Sequence, residues 1–146
     1  MPTFAKLAAA VVMAALMYVV TDMVLPMFDP SQPPRWFMQI NIAYGAVFGW
    51  KIIGGRAGNG AVIAISTGIS AIVVTIAAVL LTHGFDVMLE RAYDMRYDGP
   101  VEALTGAVGL AIDLGAKLFT PIVGMTLIAG AIIASLVAEI VSRFAD

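Results

Sequence analysis

The ionisable residues of this chain are few and unevenly placed. Asp22, His83 and Glu139 each fall near the end of a long apolar run. An ionisable group inside a membrane segment is a candidate for proton or ion chemistry. Within a turn or two of the interface, snorkelling or pairing accounts for such a group more simply. Asp86, Glu90 and Asp94 recur every fourth residue and so share one helical face. Like charges at that spacing repel slightly, so the face is either wet or holds a divalent cation through its carboxylates. A solvated face is the simpler account. Arg96, Asp98, Glu102 and Asp113 continue this polar stretch, and Asp113 stands i, i+4 from Lys117, a spacing suited to an ion pair.

Other chemistries find few reagents. There is no cysteine, which excludes disulfides, thiol catalysis and thiolate metal sites, and the single histidine excludes a multi-histidine metal centre. "GGRAGNG", Gly54 to Gly60, has a glycine-rich look. It follows an apolar helix rather than a strand and lacks the lysine and serine of a phosphate-binding loop, so it reads as a turn. Met13/Met17 and Met23/Met27 are i, i+4 pairs that could form a soft-metal path, but they point to different faces and methionine is an ordinary apolar filler. The net charge of −2, with no lysine or arginine cluster, leaves no footprint for nucleic acid. No nucleophile–base constellation is visible. Neither an enzyme nor a cofactor or metal protein is expected.

The elements that must hold these residues are membrane helices. The chain is 61% hydrophobic and only 12% charged, about half the charge of a soluble domain, and its mean hydropathy is +0.96. The pattern predicts an all-α integral membrane protein with four transmembrane helices, at about 5–25, 36–53, 61–85 and 121–141. The first run rises about 31 Å as a helix, roughly the hydrocarbon thickness. It is long for a signal peptide and no clear Ala-x-Ala site ends it. Pro26, Pro30, Pro33 and Pro34 make the next stretch a short extended loop. Trp36 and Trp50 bracket the second span as interfacial anchors. Within it, Gly45 and Gly49 form a small-xxx-small pair that lets another helix approach closely. The lysine and arginine balance is even, but Lys51 and Arg56 flank the shortest loop with no acid, which predicts both termini inside.

Six of the ten acids fall within 86–119, between the third and fourth spans, and this segment reads as an amphipathic helical hairpin. Helical rotation gathers Glu102, Gly106, Gly109, Asp113 and Lys117 within about an 80° sector, with Leu104, Val108, Ala111 and Leu118 on the other side. The corner of the hairpin is Asp98-Gly99-Pro100. Pro100 suits the first helical position, and Glu102 falls in the first turn, where the dipole favours an anion. Gly99 is expected in the left-handed conformation and Asp98 as a cap. The hairpin either projects from the bilayer or lies flat on it.

"RYDGPVEAL", together with "GW…GGRAGNG" at Gly49 to Gly60 and the opening "MPTFAKLAAA", resembles the TrgA family of small bacterial inner-membrane proteins associated with tellurite resistance. The resemblance covers essentially the whole chain, and the Arg-Tyr-Asp-Gly-Pro string is its most specific part. It implies a multi-pass inner-membrane protein linked to tellurite tolerance, and it brings no catalytic or binding residues. The expected role is non-enzymatic, through helix packing or partner binding; the alternative is a small oligomeric transporter or channel for an ion or oxyanion. The partners expected are the lipid bilayer and either a second copy or another membrane protein. Polar residues facing a shared cavity would favour transport, and a dry, tightly packed bundle would favour interaction.

Overall fold

The computed structural model describes residues 3–28 and 36–145. Every regular element among them is helical. α1 (Phe4–Val24) starts at Thr3, whose hydroxyl accepts the Lys6 N–H at 3.3 Å, and ends in a 3-10 turn, Leu25–Met27, with Pro26 in its first positions. The rest of the proline-rich loop, 29–35, lies outside the described residues. α2 (Phe37–Phe48) continues through a π-helical turn, Gly49–Ile53, into the single turn α3 (Gly54–Arg56). α4 (Ala61–Tyr93) is 33 residues long, α5 runs Pro100–Leu118, and α6 runs Pro121–Ala145.

Among the described residues, three helical stretches are long and apolar enough to cross a membrane: Phe4–Met27, Ala61–Tyr93 and Pro121–Ala145. The sequence predicts four. The segment expected as the second span is an α-helix for only 12 residues before the π turn interrupts it.

α1 is the centre of the bundle, with α2 along one side and α6 along another. Its inward residues, among them Ala9, Met13, Met17 and Val20, meet Ala131, Ala134 and Ala138 of α6, all essentially without exposure. Without a hydrophobic drive between helices in lipid, close packing of small residues supplies the attraction. Such packing runs along α2 and the turns that follow it. A Cβ on Gly45 would lie 2.6 Å from the Met13 carbonyl oxygen, one on Gly49 the same distance from that of Ala9, and one on Gly54 2.6 Å from Lys6 Cα.

The π turn explains how the third glycine joins this seam. Gly54 follows Gly49 by five residues, a spacing that would rotate it off the contact face of a regular α-helix. The Gly54 N–H instead bonds the Gly49 carbonyl, an i→i+5 closure that brings position 54 back over position 49. Three glycines thereby follow α1 downward from Met17 to Lys6.

α4 overruns the expected end of its span at 85 by two turns. α5 packs on α4 just short of this overrun and runs back along it: Gly84 faces the Ala107 carbonyl, and Gly115 faces Leu80. The residues α5 buries are Ala107, Leu114 and Gly115, not the Leu104 and Val108 of the expected apolar side, which are exposed. Gly106 is not on an open polar face either, since the Tyr97 ring covers it.

The turn between α4 and α5 also differs in its chemistry. Gly99 is extended (φ −176°), a conformation open to any residue, and it is Gly99, not Asp98, that occupies the cap position. The left-handed residue is Met95 (φ +52°), directly after the C-cap of α4. Pro100 does begin the helix, and Glu102 reaches back from its first turn to accept the Asp98 N–H at 2.8 Å. That bond satisfies a donor near the helix start, which the Asp98 side chain does not do.

Candidate functional site

Hydrogen-bonded clusters of side chains stand at the two ends of the bundle, and between them the buried Thr75 and Ser135 hydroxyls bond only back to their own helices. At the end where α1 finishes, three helices meet through a hydrogen-bonded chain. The Thr21 hydroxyl donates to the Met17 carbonyl (2.6 Å), Asn41 Nδ2 donates to Thr21 Oγ1 (3.0 Å), and His83 Nε2 lies 3.0 Å from Asn41 Oδ1. Asn41 donates one amide hydrogen to Thr21, and its Oδ1, which can only accept, takes its hydrogen from the imidazole. The proton therefore sits on Nε2 and leaves Nδ1 an acceptor. That Nδ1 is buried with no partner among the described residues. All three residues are at most 3% exposed.

The imidazole is fixed on its other side by aromatic contact. Phe37 packs against it at 4.5 Å between centroids, Phe28 meets Phe37 edge-on at 5.2 Å, and the Lys117 ammonium lies 4.8 Å from the centre of the Phe28 ring. That cation–π contact is what Lys117 does in place of the expected pairing; among the described residues it forms no ion pair with Asp113.

Beyond this aromatic floor opens a cleft of about 960 Å³ between the outer part of α4 and α5, lined among others by His83, Asp86, Glu90, Asp94, Asp113 and Lys117. Its four acids are exposed, and among the described residues no three carboxylate or imidazole groups converge as metal ligands would. Arg96 pairs with Asp94 at 3.5 Å with both side chains more than half exposed, an arrangement worth little in water. Asp98 and Glu102 belong to the turn already described. Asp22 is exposed on α1.

Beneath the floor the bundle closes. A void of about 20 Å³ remains among Met17, Thr21, Asn41, Ile76 and Leu114, room for about one water molecule. The polar chain stops at the Met17 carbonyl, and below it α1 presents Met13, Ala9 and Ala5 to its neighbours, all buried. Met13 and Met17 are the packing surface for Gly45.

At the opposite end, Glu139 of α6 is 3% exposed and collects four donors. The Gly58 and Gly60 N–H groups reach Oε2 at 2.7 Å and Oε1 at 3.0 Å, and Arg143 adds Nε at 3.2 Å and Nη2 at 3.0 Å. Gly58 (φ +91°) and Gly60 (φ +103°) both sit where side chains are strained. Their reversal of the chain is what aims two amides, on either side of Asn59, at one carboxylate, much as an anion-binding nest does. The glycine-rich turn does bind an anion, and the anion belongs to its own chain.

Thr21 and Asn41 escaped the reading of the sequence. Asn41 was open to discovery, because an amide in the middle of "FMQINIAYG" needs a partner in an apolar setting. Thr21 carried no such signal, since threonine satisfies itself on the preceding turn of any helix. No protein-family model matches the chain, and no curated protein or solved structure is significantly similar to it.

Proposed function

We propose that the chain is a non-enzymatic, multi-pass inner-membrane protein that contributes to tellurite tolerance by packing against or binding a partner in the membrane. The observation that carries the choice of packing over transport is the dry bundle. The glycine seam brings α2 into contact with the backbone of α1, and the void beneath His83 holds about one water. The hydrogen-bonded chain of side chains ends at the Met17 carbonyl, and beyond it the buried Thr75 and Ser135 hydroxyls turn back onto their own helices and form no continuous polar route. In this reading α2, the π turn and α3 form the fourth span, both termini are cytoplasmic, and the α4/α5 hairpin is on the periplasmic side.

Tellurite tolerance itself follows from the resemblance of "RYDGPVEAL" and its companion motifs. Deleting the gene and measuring tellurite tolerance alongside tellurite uptake tests it. Reduced tolerance at unchanged uptake supports the partner role. Reduced tolerance with altered uptake would move the protein to the transporter class, where the route must run between copies. Because the chain has no cysteine, topology is accessible through single cysteines and an impermeant maleimide. Position 58 should label from the cytoplasmic side and position 99 from the periplasmic side; the reverse pattern overturns the orientation.

A further inference from the structure

The outer part of the molecule carries its apolar residues on the outside. On α5, Val101, Leu104, Val108 and Ile112 are each more than half exposed. At 100° per residue they fall within about 80° of one another. The α4-facing residues Ala107 and Leu114 occupy a second sector, and Glu102, Gly109 and Asp113 a third. α5 is thus divided three ways, and only one of its two non-polar sides is covered by protein.

Two features say what covers the other. The first is continuity. The stripe does not end with α5 but passes through Phe119 to Ile122 and Met125 of α6, all more than half exposed, and so joins the outward face of a helix long and apolar enough to span the bilayer. The second is length. α4 is 33 residues long, about 50 Å at 1.5 Å per residue. That exceeds the hydrocarbon core of about 30 Å and also the roughly 40–45 Å of core and headgroup layers together, so a tilted α4 ends at headgroup depth. Most charged residues of the same region, Asp86, Glu90, Asp94, Asp113 and Lys117 among them, line the cleft instead.

We infer that the α4/α5 arm is seated in the outer headgroup layer of the bilayer, with Val101, Leu104, Val108 and Ile112 turned to lipid and the charged cleft turned toward the bundle. α4 then crosses at a tilt, and the arm does not stand free in water. The inference rests on the membrane reading of the helices and is independent of tellurite.

Spin labels on single cysteines test it, using the full chain in vesicles of phosphatidylethanolamine and phosphatidylglycerol. Labels at Leu104→Cys, Val108→Cys and Ile112→Cys are compared with Glu102→Cys and Gly109→Cys, and with Val73→Cys and Ile128→Cys as membrane references. The readout is the ratio of collision rates with oxygen, which concentrates in lipid, and with a water-soluble nickel chelate. The stripe should show a ratio several-fold above positions 102 and 109 and close to the references. A water-like ratio at 104 and 108 would overturn the inference in favour of a projecting arm. Low collision rates with both reagents would overturn it in favour of a protein contact, such as a second copy. Water-like ratios at 73 and 128 would remove the membrane reading itself, and the seating of the arm with it.

Discussion

Replacing Gly45 or Gly49 by alanine adds one carbon where the structure has no room. The new Cβ would lie 2.6 Å from a carbonyl oxygen of α1 at either site, and 2.7 Å from Met17 Cγ or 2.8 Å from Met13 Cβ. Ordinary contact begins at 3.4 Å, so α2 must retreat by the difference, 3.4 − 2.6 = 0.8 Å, because the obstacle is backbone and cannot rotate away. Overpacking of this kind costs about 1–3 kcal/mol, while removing a glycine from a helix returns up to about 1 kcal/mol. The net expectation is a loss of about 1–2 kcal/mol at each site. Both substitutions press on Met13, so the double variant should lose less than the sum, the second carbon entering a gap the first has opened. Gly55 is the control: it is one residue beyond the seam, with nothing within 4 Å of its Cβ, and Gly55→Ala should be neutral or slightly stabilising. Reversible unfolding of purified protein in mixed micelles, titrated with a denaturing detergent, reads all four. If Gly45→Ala and Gly49→Ala unfold with the parent protein, or Gly55→Ala is as damaging as they are, the close-approach argument is wrong.

Other contacts in the structure predict the effects of further substitutions. Glu139→Ala removes the acceptor for two amides and a guanidinium and should cost on the order of 2–3 kcal/mol; amide exchange at Gly58 and Gly60 should rise sharply, with Glu139→Gln intermediate because only one oxygen remains. Asn41→Ala strands the His83 Nε2–H inside the bundle and should cost about 1–3 kcal/mol, detectable by the same unfolding titration; no change would mean the Thr21–Asn41–His83 chain does not hold the helices together. Met95→Val places a β-branched residue at positive φ and should lower stability by on the order of 1 kcal/mol, whereas Gly99→Val, at an extended position with open space around it, should leave the thermal midpoint almost unchanged.

Much of the helical architecture was legible because its determinants are local. Runs of apolar residues with caps and prolines at their ends mark α1, α4 and α6, and Pro100 with Glu102 marks the start of α5. The break in the second predicted span was not legible. A π turn depends on which face of α2 the neighbouring α1 requires, and that is tertiary information. The expected left-handed Gly99 failed for a related reason: glycine permits positive φ without demanding it, and the turn was closed earlier by Met95. Leu104 and Val108 could be placed on an apolar side but not matched to what covers it, because amphipathicity distinguishes polar from apolar and not protein from lipid. For the polar sites, sequence singled out His83 and Glu139, yet their partners lie 42 and some 80 positions away, beyond the reach of any spacing rule.

The carboxylate that closes the glycine turn has a bearing on how the molecule is assembled. Glu139 lies 81 residues after Gly58, so the turn emerges from the ribosome and meets the membrane long before its counter-charge is made. Until α6 arrives, the reversed backbone of 58–60 must be served by water, and the start of α4 has nothing to anchor it. α6 also supplies one whole flank of α1. Its insertion therefore completes two unrelated contacts at once, one along the middle of the bundle and one at its end. A chain halted before α6 would leave α1–α5 as a loose intermediate with an open hinge at 58–60, a ready target for the proteases that survey unfinished membrane proteins.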